Sequence, residues 1–511
     1  MILNISLGFS QTAPTIEWQN TIGGSEQDNF TELRIVNDGY IIGGYSRSDI
    51  SGDKTENSNG VFDYWILKLN NAGNIEWQNT IGGESDEDTF TLSTTSDGGY
   101  IIGGHSESQI SGDKTEVSNN GDFWVLKLDN TGNIEWQNTI GGSNGDELNS
   151  ISQTSDGGYI LGGTSNSPIS FDKTEASLGL RDYWVVKLDS TGNIEWQNTI
   201  GGNNVDILSS IKETNDNGFI ISGQSNSGIS GDKTEDSVGV DYWIIKLNSI
   251  GNIEWQNTIS GDLDDYLVTT INTNDNGFIL GGYSNSNISG DKTENSNGGY
   301  DYWVIKLNSI GNIEWQNTIG GNNDEALTSL IQTNDGKYVL GGYSNSNISG
   351  DKTEDSKGDF DYWLVKIDET GNLIWQKTIG GNGSDGIYSI QQTDDNGFIL
   401  GGLSNSSISG NKTENSNGGI DYWVLKLSPE TLSINDNFTK NITIYPNPTN
   451  DILNIIYEAN IKYEIINQLG EKVISSQEKV VDLNSLKSGI YYIKVTDEKD
   501  KLLITKKIIK D

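Results

Sequence analysis

The sequence predicts an all-β fold in which seven copies of one four-stranded unit follow each other. The stretch "GNIEWQNTIGG" at Gly73–Gly83 returns at Gly132–Gly142 and then recurs with few changes. Its tryptophan repeats every 59 or 60 residues, and a second tryptophan, preceded by an acidic and an aromatic residue, has the same period. A fixed period of this length indicates a repeat architecture. The two series use all 14 tryptophans: Trp18, Trp77, Trp136, Trp196, Trp255, Trp315 and Trp375 in the first, and Trp65, Trp124, Trp184, Trp243, Trp303, Trp363 and Trp423 in the second.

Each unit contains four segments typical of strands. In the unit at residues 148–202, "LNSISQT" and "GNIEWQNTI" alternate polar and apolar residues, while "GYILGGT" and "DYWVVKLD" are short and rich in β-branched and aromatic residues. "SDG" joins the first two strands and "DSTGN" the last two, and both are tight hairpin sequences. A long polar loop, "SNSPISFDKTEASLGLR", joins the second strand to the third.

The two ends of the repeat array complete each other. The array starts at Ile16–Gly24 with a fourth strand that lacks its first three, and finishes at Asp421–Leu427 with a third strand that lacks its fourth. Pairing these fragments would close a ring and remove two exposed sheet edges. We therefore predict a seven-bladed β-propeller of four-stranded blades over residues 12–428. A stacked solenoid is the alternative, but solenoid coils are usually shorter and need polar caps.

The motifs of one unit also carry a family resemblance. "GDELNSISQTSDGGYILGGTSNS" followed by "DYWVVKLDSTGNIEWQNTIGG" resembles the seven-bladed β-propeller repeat family of secreted and surface bacterial proteins. The resemblance implies the fold and no particular reaction, because propellers host many functions.

The tail after Ser428 differs from the array, since lysine becomes common and glycine rare. Residues 429–441 are predicted to be a linker, and residues 442–511 read as short strands of a small β-sandwich. These residues resemble the C-terminal sorting domain of the type IX (Por) secretion system of the Bacteroidetes, which implies the secretion machinery as partner; an accessory β-sandwich is the alternative. The matching residues are Tyr445, Pro446, Asn447, Pro448, the turn at 467–470, Gly489, Tyr491, Lys506, Lys507 and Lys510.

The N-terminal residues 1–11 are apolar, lack lysine and arginine, and are shorter than a secretory signal. We interpret them as the remnant of a signal peptide, with a disordered lead-in as the alternative. With the sorting domain, this predicts passage through the periplasm to the outer cell surface or the extracellular space.

Composition excludes several classes of function. The net charge is -40, and the chain through Ser428 carries 21 bases against 60 acids, which argues against nucleic acid as a partner. No run of about 20 apolar residues predicts a transmembrane segment. Cysteine is absent, so neither disulfides nor thiolate metal sites are available.

The long loops and the links between blades should emerge on one acidic face, where binding is expected to concentrate. Each long loop carries an Asp-Lys-Thr-Glu motif, whose carboxylates predict calcium ligands as one interpretation and locally hydrogen-bonded loop residues as the favoured one. The intervening lysine and Asn411, which replaces the acid in the last copy, weaken the calcium interpretation. No cofactor is expected to be required. The candidate metal ligands are Asp53, Glu56, Asp113, Glu116, Asp232, Glu235, Asp291, Glu294, Asp351 and Glu354.

Catalytic chemistry finds little support in the sequence. The sole histidine, His105, occupies a position that differs between copies, which favours a surface or ligand-facing site over a general base. Paired carboxylates could cleave glycosides, but nothing singles out two of them. The aspartate before each aromatic pair is expected to hold loop amides, and the aromatic pair to pack between blades. The ligand-facing candidates are Tyr45, His105, Thr164, Gln224, Tyr283, Tyr343 and Leu403.

These observations favour a secreted or surface-displayed, non-catalytic propeller that binds an extracellular protein or a polysaccharide. A carbohydrate-active enzyme and a structural surface or matrix component are the alternatives.

Overall fold

The computed structural model describes residues 9–434, 442–457, 460–468, 471–496 and 502–511, and these residues contain strands, turns and no helix. The chain divides into two units, one of residues 13–430 and one that joins residues 1–12 to residues 431–511. Residues 1–8 of the predicted signal remnant and residues 435–441 of the predicted linker lie outside the described residues. Within the described residues, no helix has the length and apolar character that crossing a bilayer requires.

The larger unit is a seven-bladed propeller of four-stranded antiparallel sheets, as the repeats predict. Hairpins join the first strand to the second in every blade and the third to the fourth in blades 1 to 6, because the Gly- and Asn-containing turns permit tight reversals. In chain order the strands are β2 (Ile16–Ile22); β3 (Asp28–Val36), β4 (Gly39–Ser46), β5 (Asp63–Asn70) and β6 (Ile75–Ile81) of blade 1; β7 (Glu87–Thr94), β8 (Tyr100–Ser106), β9 (Asp122–Leu128) and β10 (Ile134–Ile140) of blade 2; β11 (Asp146–Gln153), β12 (Tyr159–Ser165), β13 (Asp182–Leu188) and β14 (Ile194–Ile200) of blade 3; and β15 (Asp206–Glu213), β16 (Phe219–Ser225), β17 (Asp241–Leu247) and β18 (Ile253–Ile259) of blade 4.

The remaining blades repeat this plan, and the ring closes at blade 7. The first strands of neighbouring blades contact each other all the way round, so they line the centre of the ring. The strands are β19 (Asp265–Asn272), β20 (Phe278–Ser284), β21 (Asp301–Leu307) and β22 (Ile313–Ile319) of blade 5; β23 (Glu325–Gln332), β24 (Tyr338–Ser344), β25 (Asp361–Ile367) and β26 (Leu373–Ile379) of blade 6; and β27 (Asp385–Gln392), β28 (Phe398–Ser404) and β29 (Asp421–Leu427) of blade 7.

The N-terminal strand completes blade 7, which confirms the predicted closure. β2 pairs antiparallel with β29, with Ile22 opposite Tyr422 and Thr21 opposite Trp423. Outside the strands, the Thr15 amide donates to the Ser428 hydroxyl at 3.0 Å. The first and last residues of the propeller therefore meet in one blade.

The third strands form the core between the blades. All seven tryptophans of the second series are fully buried. Each packs against the aromatic residue of the preceding blade, with ring centroids 4.9–5.6 Å apart, and the Tyr422 hydroxyl, for example, also donates to the Trp65 carbonyl. Buried aromatic pairs add specific geometry to their large apolar area. The expectation that the aromatic pairs pack between blades is confirmed.

A buried lysine closes the opposite end of each third strand. Lys187 is held at 3.0 Å by Asp156 of a hairpin and at 3.0 Å by Glu195 of the fourth strand. In blade 6 the fourth strand has Ile374 in place of the glutamate, and Glu430 supplies the second carboxylate to Lys366 at 2.8 Å. A buried ammonium is tolerated only when it is paired, so the array replaces the lost acid from elsewhere in the chain.

The second unit contains two small sheets around one apolar core, as the predicted β-sandwich requires. It also contains β1 (Phe9–Thr12), which pairs with β30 (Thr431–Ile434), so the predicted linker includes a short strand. The remaining strands are β31 (Thr443–Tyr445), β32 (Ile452–Ile456), β33 (Lys462–Ile466), β34 (Lys472–Ser476), β35 (Val480–Asp482), β36 (Gly489–Thr496) and β37 (Leu502–Lys510).

Deletion of residues 12–24 tests the closure. β29 would lose its partner strand and the apolar cover that β2 provides, so we expect the melting temperature of the propeller to fall strongly. Circular dichroism during heating measures the change. As a control, a synthetic peptide of the deleted residues should restore part of the loss, and an unchanged melt would contradict the closed ring.

Candidate binding site at the loop face of the propeller

The long loops and the links between blades lie on the same face of the propeller, as the sequence predicts. The Asp53 amide in the long loop of blade 1 donates to the Gly23 carbonyl of the preceding link at 2.9 Å. Asp113 and Gly82 repeat this bond in the next blade, also at 2.9 Å. We call this side the loop face and the side of the tight turns the hairpin face.

The carboxylates predicted as metal ligands accept hydrogen bonds from the backbone. Asp53 accepts from the Gly23 amide at 3.2 Å, and Glu56 accepts from the Thr80 amide at 2.6 Å. No three His, Cys, Asp or Glu side chains group as a metal site within the part of the chain that the structure describes. Backbone amides also donate to the other predicted metal ligands: Asp113, Glu116, Asp232, Glu235, Asp291, Glu294, Asp351 and Glu354.

The lysine of the same motif lies inside the blade, which the sequence did not reveal. Lys114 is buried, and its Nζ lies 4.8 Å from the ring centroid of Trp124, a cation–π distance. Burial lowers the pKa of Lys114 to about 8. The lysine that the sequence suggested as a competing surface charge is therefore part of the core.

Two buried carboxylates of the same blade, Glu87 at the start of the first strand and Asp122 at the start of the third, interact with this lysine. The Asp63 carboxylate, at the start of a third strand, accepts from the Asn59 amide at 2.5 Å, which confirms its expected role in holding the loop. Burial, together with Glu87 of the next blade, raises the pKa of Asp63 to about 7. Glycine is required at position 82, because a Cβ there would lie 1.6 Å from an Asp63 oxygen. The equivalent Asp122, Asp241 and Asp301 also have pKa values raised to about 7, and Asp182 and Asp421 to about 6.

Three positions per blade surround the loop-face end of the central channel, and we call them together the channel mouth. The first is the second residue of the first strand, the next is the ligand-facing position on the second strand, and the last precedes the aspartate of the third strand. In blade 5 these are Tyr266, Tyr283 and Tyr300, whose ring centroids are 5.2–5.9 Å apart. In blade 5, the side chains at the three positions therefore contact one another.

Aromatic side chains occupy one half of the channel mouth. Burial and the neighbouring Tyr343 of blade 6 raise the pKa of Tyr283 to about 12. Tyr388 of blade 7 is 39% exposed, and burial, Tyr343 and Tyr45 raise its pKa to about 12. Tyr388 is the fourth residue of its first strand, at a bulge, and we count this bulge position as a further part of the channel mouth. We call Tyr283, Tyr343, Tyr388 and Tyr45, in four consecutive blades, the tyrosine arc. Gly386 leaves room for it, since a Cβ there would lie 3.2 Å from a ring carbon of Tyr343.

Further aromatic residues support the arc from the third position of the blade. Phe62 meets Tyr45 edge-on at a centroid distance of 5.4 Å, and Phe360 meets Tyr343 at 5.2 Å. These contacts fix the orientation of the Tyr45 and Tyr343 rings before any ligand binds. Leu403 completes the ligand-facing position in blade 7 and is half-buried.

The other half of the channel mouth is polar. The His105 backbone amide donates to the Thr89 hydroxyl at 2.9 Å, and its ring contacts the Asp146 carbonyl at 3.2 Å, so the side chain packs between blades. Thr164 is buried, and its hydroxyl accepts from the Leu208 amide at 3.3 Å. Gln224 is half-buried in blade 4. His105 and Thr164 are thus held by the framework, whereas the tyrosines present open ring surface.

The sequence found only one of the three positions that form the channel mouth. Tyr266, Tyr300 and Tyr388 were missed because they lie in segments that read as ordinary strand and loop. Variation between the copies could have identified them, since the residues equivalent to Tyr388 in other blades include Thr31, Asn149 and Val268 at the same bulge.

The predicted sorting residues meet in the second unit. The Asn447 side-chain amide donates to the Lys507 carbonyl at 2.7 Å and its oxygen accepts from the Ile509 amide at 2.9 Å, so the Pro-Asn-Pro segment is tied to the basic last strand. Lys506 donates to the Ile444 carbonyl before this segment, and Lys510 donates to the Asn450 carbonyl after it. Tyr445 is 45% exposed, and the Tyr491 hydroxyl donates to the Lys487 carbonyl at 3.0 Å.

Residues 443–511 match the family "Secretion system C-terminal sorting domain". This domain directs the chain to export by the type IX secretion system, to the cell surface or the extracellular space. The chain is thus an exported β-propeller with a C-terminal sorting domain, and the secretion machinery is its partner during export.

Other similarities are distant. The chain is 22% identical over 367 residues to "Regulatory protein FlaEY" of Caulobacter vibrioides, covering 66% of this chain and 38% of that protein. PorZ, a surface component of the type IX secretion system of Porphyromonas gingivalis, has a TM-score of 0.35 at 11% identity, covering 94% of this chain and 70% of that one. A fungal alcohol oxidase in complex with copper has a TM-score of 0.43 at 11% identity, covering 97% and 99%. At these scores the likenesses carry no argument about function.

The pH dependence of stability tests the buried aspartates. Their folded pKa values exceed the ordinary value of 3.8, so their contribution is greatest below about pH 4 and is lost as the pH rises through about 7. We expect the free energy of unfolding to fall between pH 4 and pH 7, by up to about 1.4 kcal/mol per pH unit for each proton held. Denaturant melts at several pH values measure this slope.

The variant Asp63→Asn with Asp301→Asn should flatten that slope. The matched control is Asp97→Asn, because Lys127 and Thr95 hold the pKa of Asp97 at about 2 and its contribution changes only below about pH 4. A slope that the double variant leaves unchanged would contradict the assignment.

A calcium titration tests the predicted metal ligands. Because the loop carboxylates already accept backbone amides, we expect calorimetry to detect no heat and the melting temperature to stay constant. Several bound equivalents, lost in Asp53→Asn with Glu56→Gln, would instead establish a calcium site.

Proposed function

We propose that this exported propeller is a non-catalytic binding protein that holds an extracellular protein or polysaccharide at the channel mouth of its loop face. The proposal rests on one observation: the blades are almost identical in their framework, but they differ at the channel mouth. In blade 5 the three mouth positions are all tyrosine, whereas the ligand-facing position holds Thr164 in blade 3 and Gln224 in blade 4. A framework duty requires the same residue in every blade, whereas recognition of one ligand requires different residues.

The aromatic half of the mouth has the composition of a recognition surface. Tyrosine combines a large, rigid contact area with a polar hydroxyl, and it is enriched in interface centres. Tyr45 and Tyr343 are half-buried and are supported by Phe62 and Phe360, so little ordering of these two side chains is needed on binding.

The absence of a catalytic role is part of the proposal. The loop carboxylates accept backbone amides, and the paired carboxylates between blades are buried. Both sets therefore serve the framework, and no cofactor is required by the arrangement. If the protein had only a structural role in a surface layer, the tyrosine arc would bind no ligand.

Binding to immobilised extracellular polymers tests the proposal. We expect fluorescently labelled full-length protein to bind at least one member of an array of polysaccharides and matrix proteins, and Tyr283→Ala with Tyr343→Ala to reduce that binding at least tenfold. The matched control is Ile310→Ser, which changes an exposed residue of a hairpin-face turn. Binding that survives the double variant, or release of sugars from a polysaccharide by the wild type, would contradict the proposal.

A further inference from the structure

The loop face carries a negative charge that its basic residues do not offset at the surface. Of the 21 lysines and arginines through Ser428, 14 are buried lysines of the two repeated positions inside the blades. The basic residues of the loop face are engaged: Arg47 pairs with Glu26 at 3.2 Å, and Arg181 pairs with Glu147. Seven of these 14 lysines lie at the loop face, where the carboxylates that begin the first and third strands are buried as well. The carboxylates that remain at the surface of the links and long loops outnumber the bases there, and such a surface attracts cations over a long range.

Carboxylates also lie beside the aromatic half of the channel mouth. The Tyr300 backbone amide donates to the Asp324 carboxylate at 3.1 Å. After burial, acids raise the pKa of three mouth tyrosines: Asp264 that of Tyr266, Asp324 that of Tyr343 and Asp88 that of Tyr45. Aromatic faces with carboxylates around them attract ammonium and guanidinium groups, because the ring quadrupole and the charges act in the same direction. At the channel mouth the Arg47 guanidinium makes such a contact, since it lies 5.9 Å from the ring centroid of Phe62.

The loop face also carries one exposed isoleucine per blade, and we call these seven residues the isoleucine ring. Each long loop presents one isoleucine, 60–67% exposed, in the turn before the Asp-Lys-Thr-Glu motif. Scattered apolar residues on a surface need no explanation, but the same exposed residue in every blade forms a repeated apolar feature. Branched aliphatic side chains match apolar side chains of a protein better than the hydroxyl-rich surface of a sugar. The residues are Ile50, Ile110, Ile169, Ile229, Ile288, Ile348 and Ile408.

We infer that the channel mouth binds a basic segment of a partner protein, with lysine or arginine side chains on the tyrosine arc and apolar side chains against the isoleucine ring. This inference rests on the proposed function and names its ligand class. The acidic field accelerates the encounter, and the aromatic and aliphatic contacts hold the complex.

Synthetic peptides test the ligand class directly. The probe is a fluorescein-labelled dodecapeptide of alternating lysine and leucine, compared with the same peptide in which glutamate replaces lysine, and anisotropy is measured with the full-length protein. We expect binding of the lysine peptide only, with an affinity that falls at least tenfold between 50 and 500 mM salt. Binding of both peptides alike, or of neither, would overturn the inference.

Variants place the peptide on the loop face. Tyr283→Ala with Tyr343→Ala should weaken binding at least tenfold, and so should Asp264→Asn with Asp324→Asn, which keeps the side-chain size and removes charge. Ile310→Ser is the control, because it changes an exposed residue of a hairpin-face turn, and it should leave binding unchanged. Unchanged melting temperatures show that the variants are folded, and equal losses in the control and the arc variants would overturn the location.

Neutral oligosaccharides separate the inference from the function on which it rests. If glucose, mannose and N-acetylglucosamine oligomers bind and the arc variants abolish that binding, the channel mouth is a binding site but its ligand is a glycan, and the basic segment is excluded. If the array experiment finds arc-dependent binding to acidic or neutral proteins alone, the proposed function stands and the cationic class fails.

Discussion

The pairing of β2 with β29 is the constraint on which the rest of the propeller depends. It joins residues 400 or more positions apart, and it completes blade 7, so that every third strand has partners on both sides. The aromatic contacts between blades, the buried lysines and the channel mouth all require neighbours in a closed ring. An open array would expose the edge of β29 and the apolar side chains beneath it.

Within the ring, the buried lysines lie beside carboxylates. Lys114 lies over Trp124 and interacts with carboxylates of its own blade, and Lys187 lies between Asp156 and Glu195 at the hairpin face. Such groups cost free energy when they are unpaired, which explains why Glu430 replaces the missing acid near Lys366. The repeat therefore preserves the set of charges, even where a strand has lost one of them.

The sequence predicts the strands and the closure because both follow from local patterns: hairpin turns, alternation and the two complementary ends. It also predicts that Asp63 holds loop amides. It does not predict that Lys114 points inward, or that Asp63 meets Glu87, because these contacts join blades and depend on side-chain direction. Tyr388 was missed for a related reason, since a bulge turns it out of the regular alternation of β27.

The repeated sequence of the fourth strands has a consequence for assembly. "IEWQNTI" is the sequence of β2 and also of β6, β10, β14, β18 and β22. The open side of β29 therefore cannot distinguish its own N-terminal strand from a fourth strand of another copy by side-chain chemistry. Only the covalent link gives β2 its advantage, as a high effective concentration. At high protein concentration during folding, exchange of this strand between chains is the expected failure, and it would produce linked rings from an unchanged sequence.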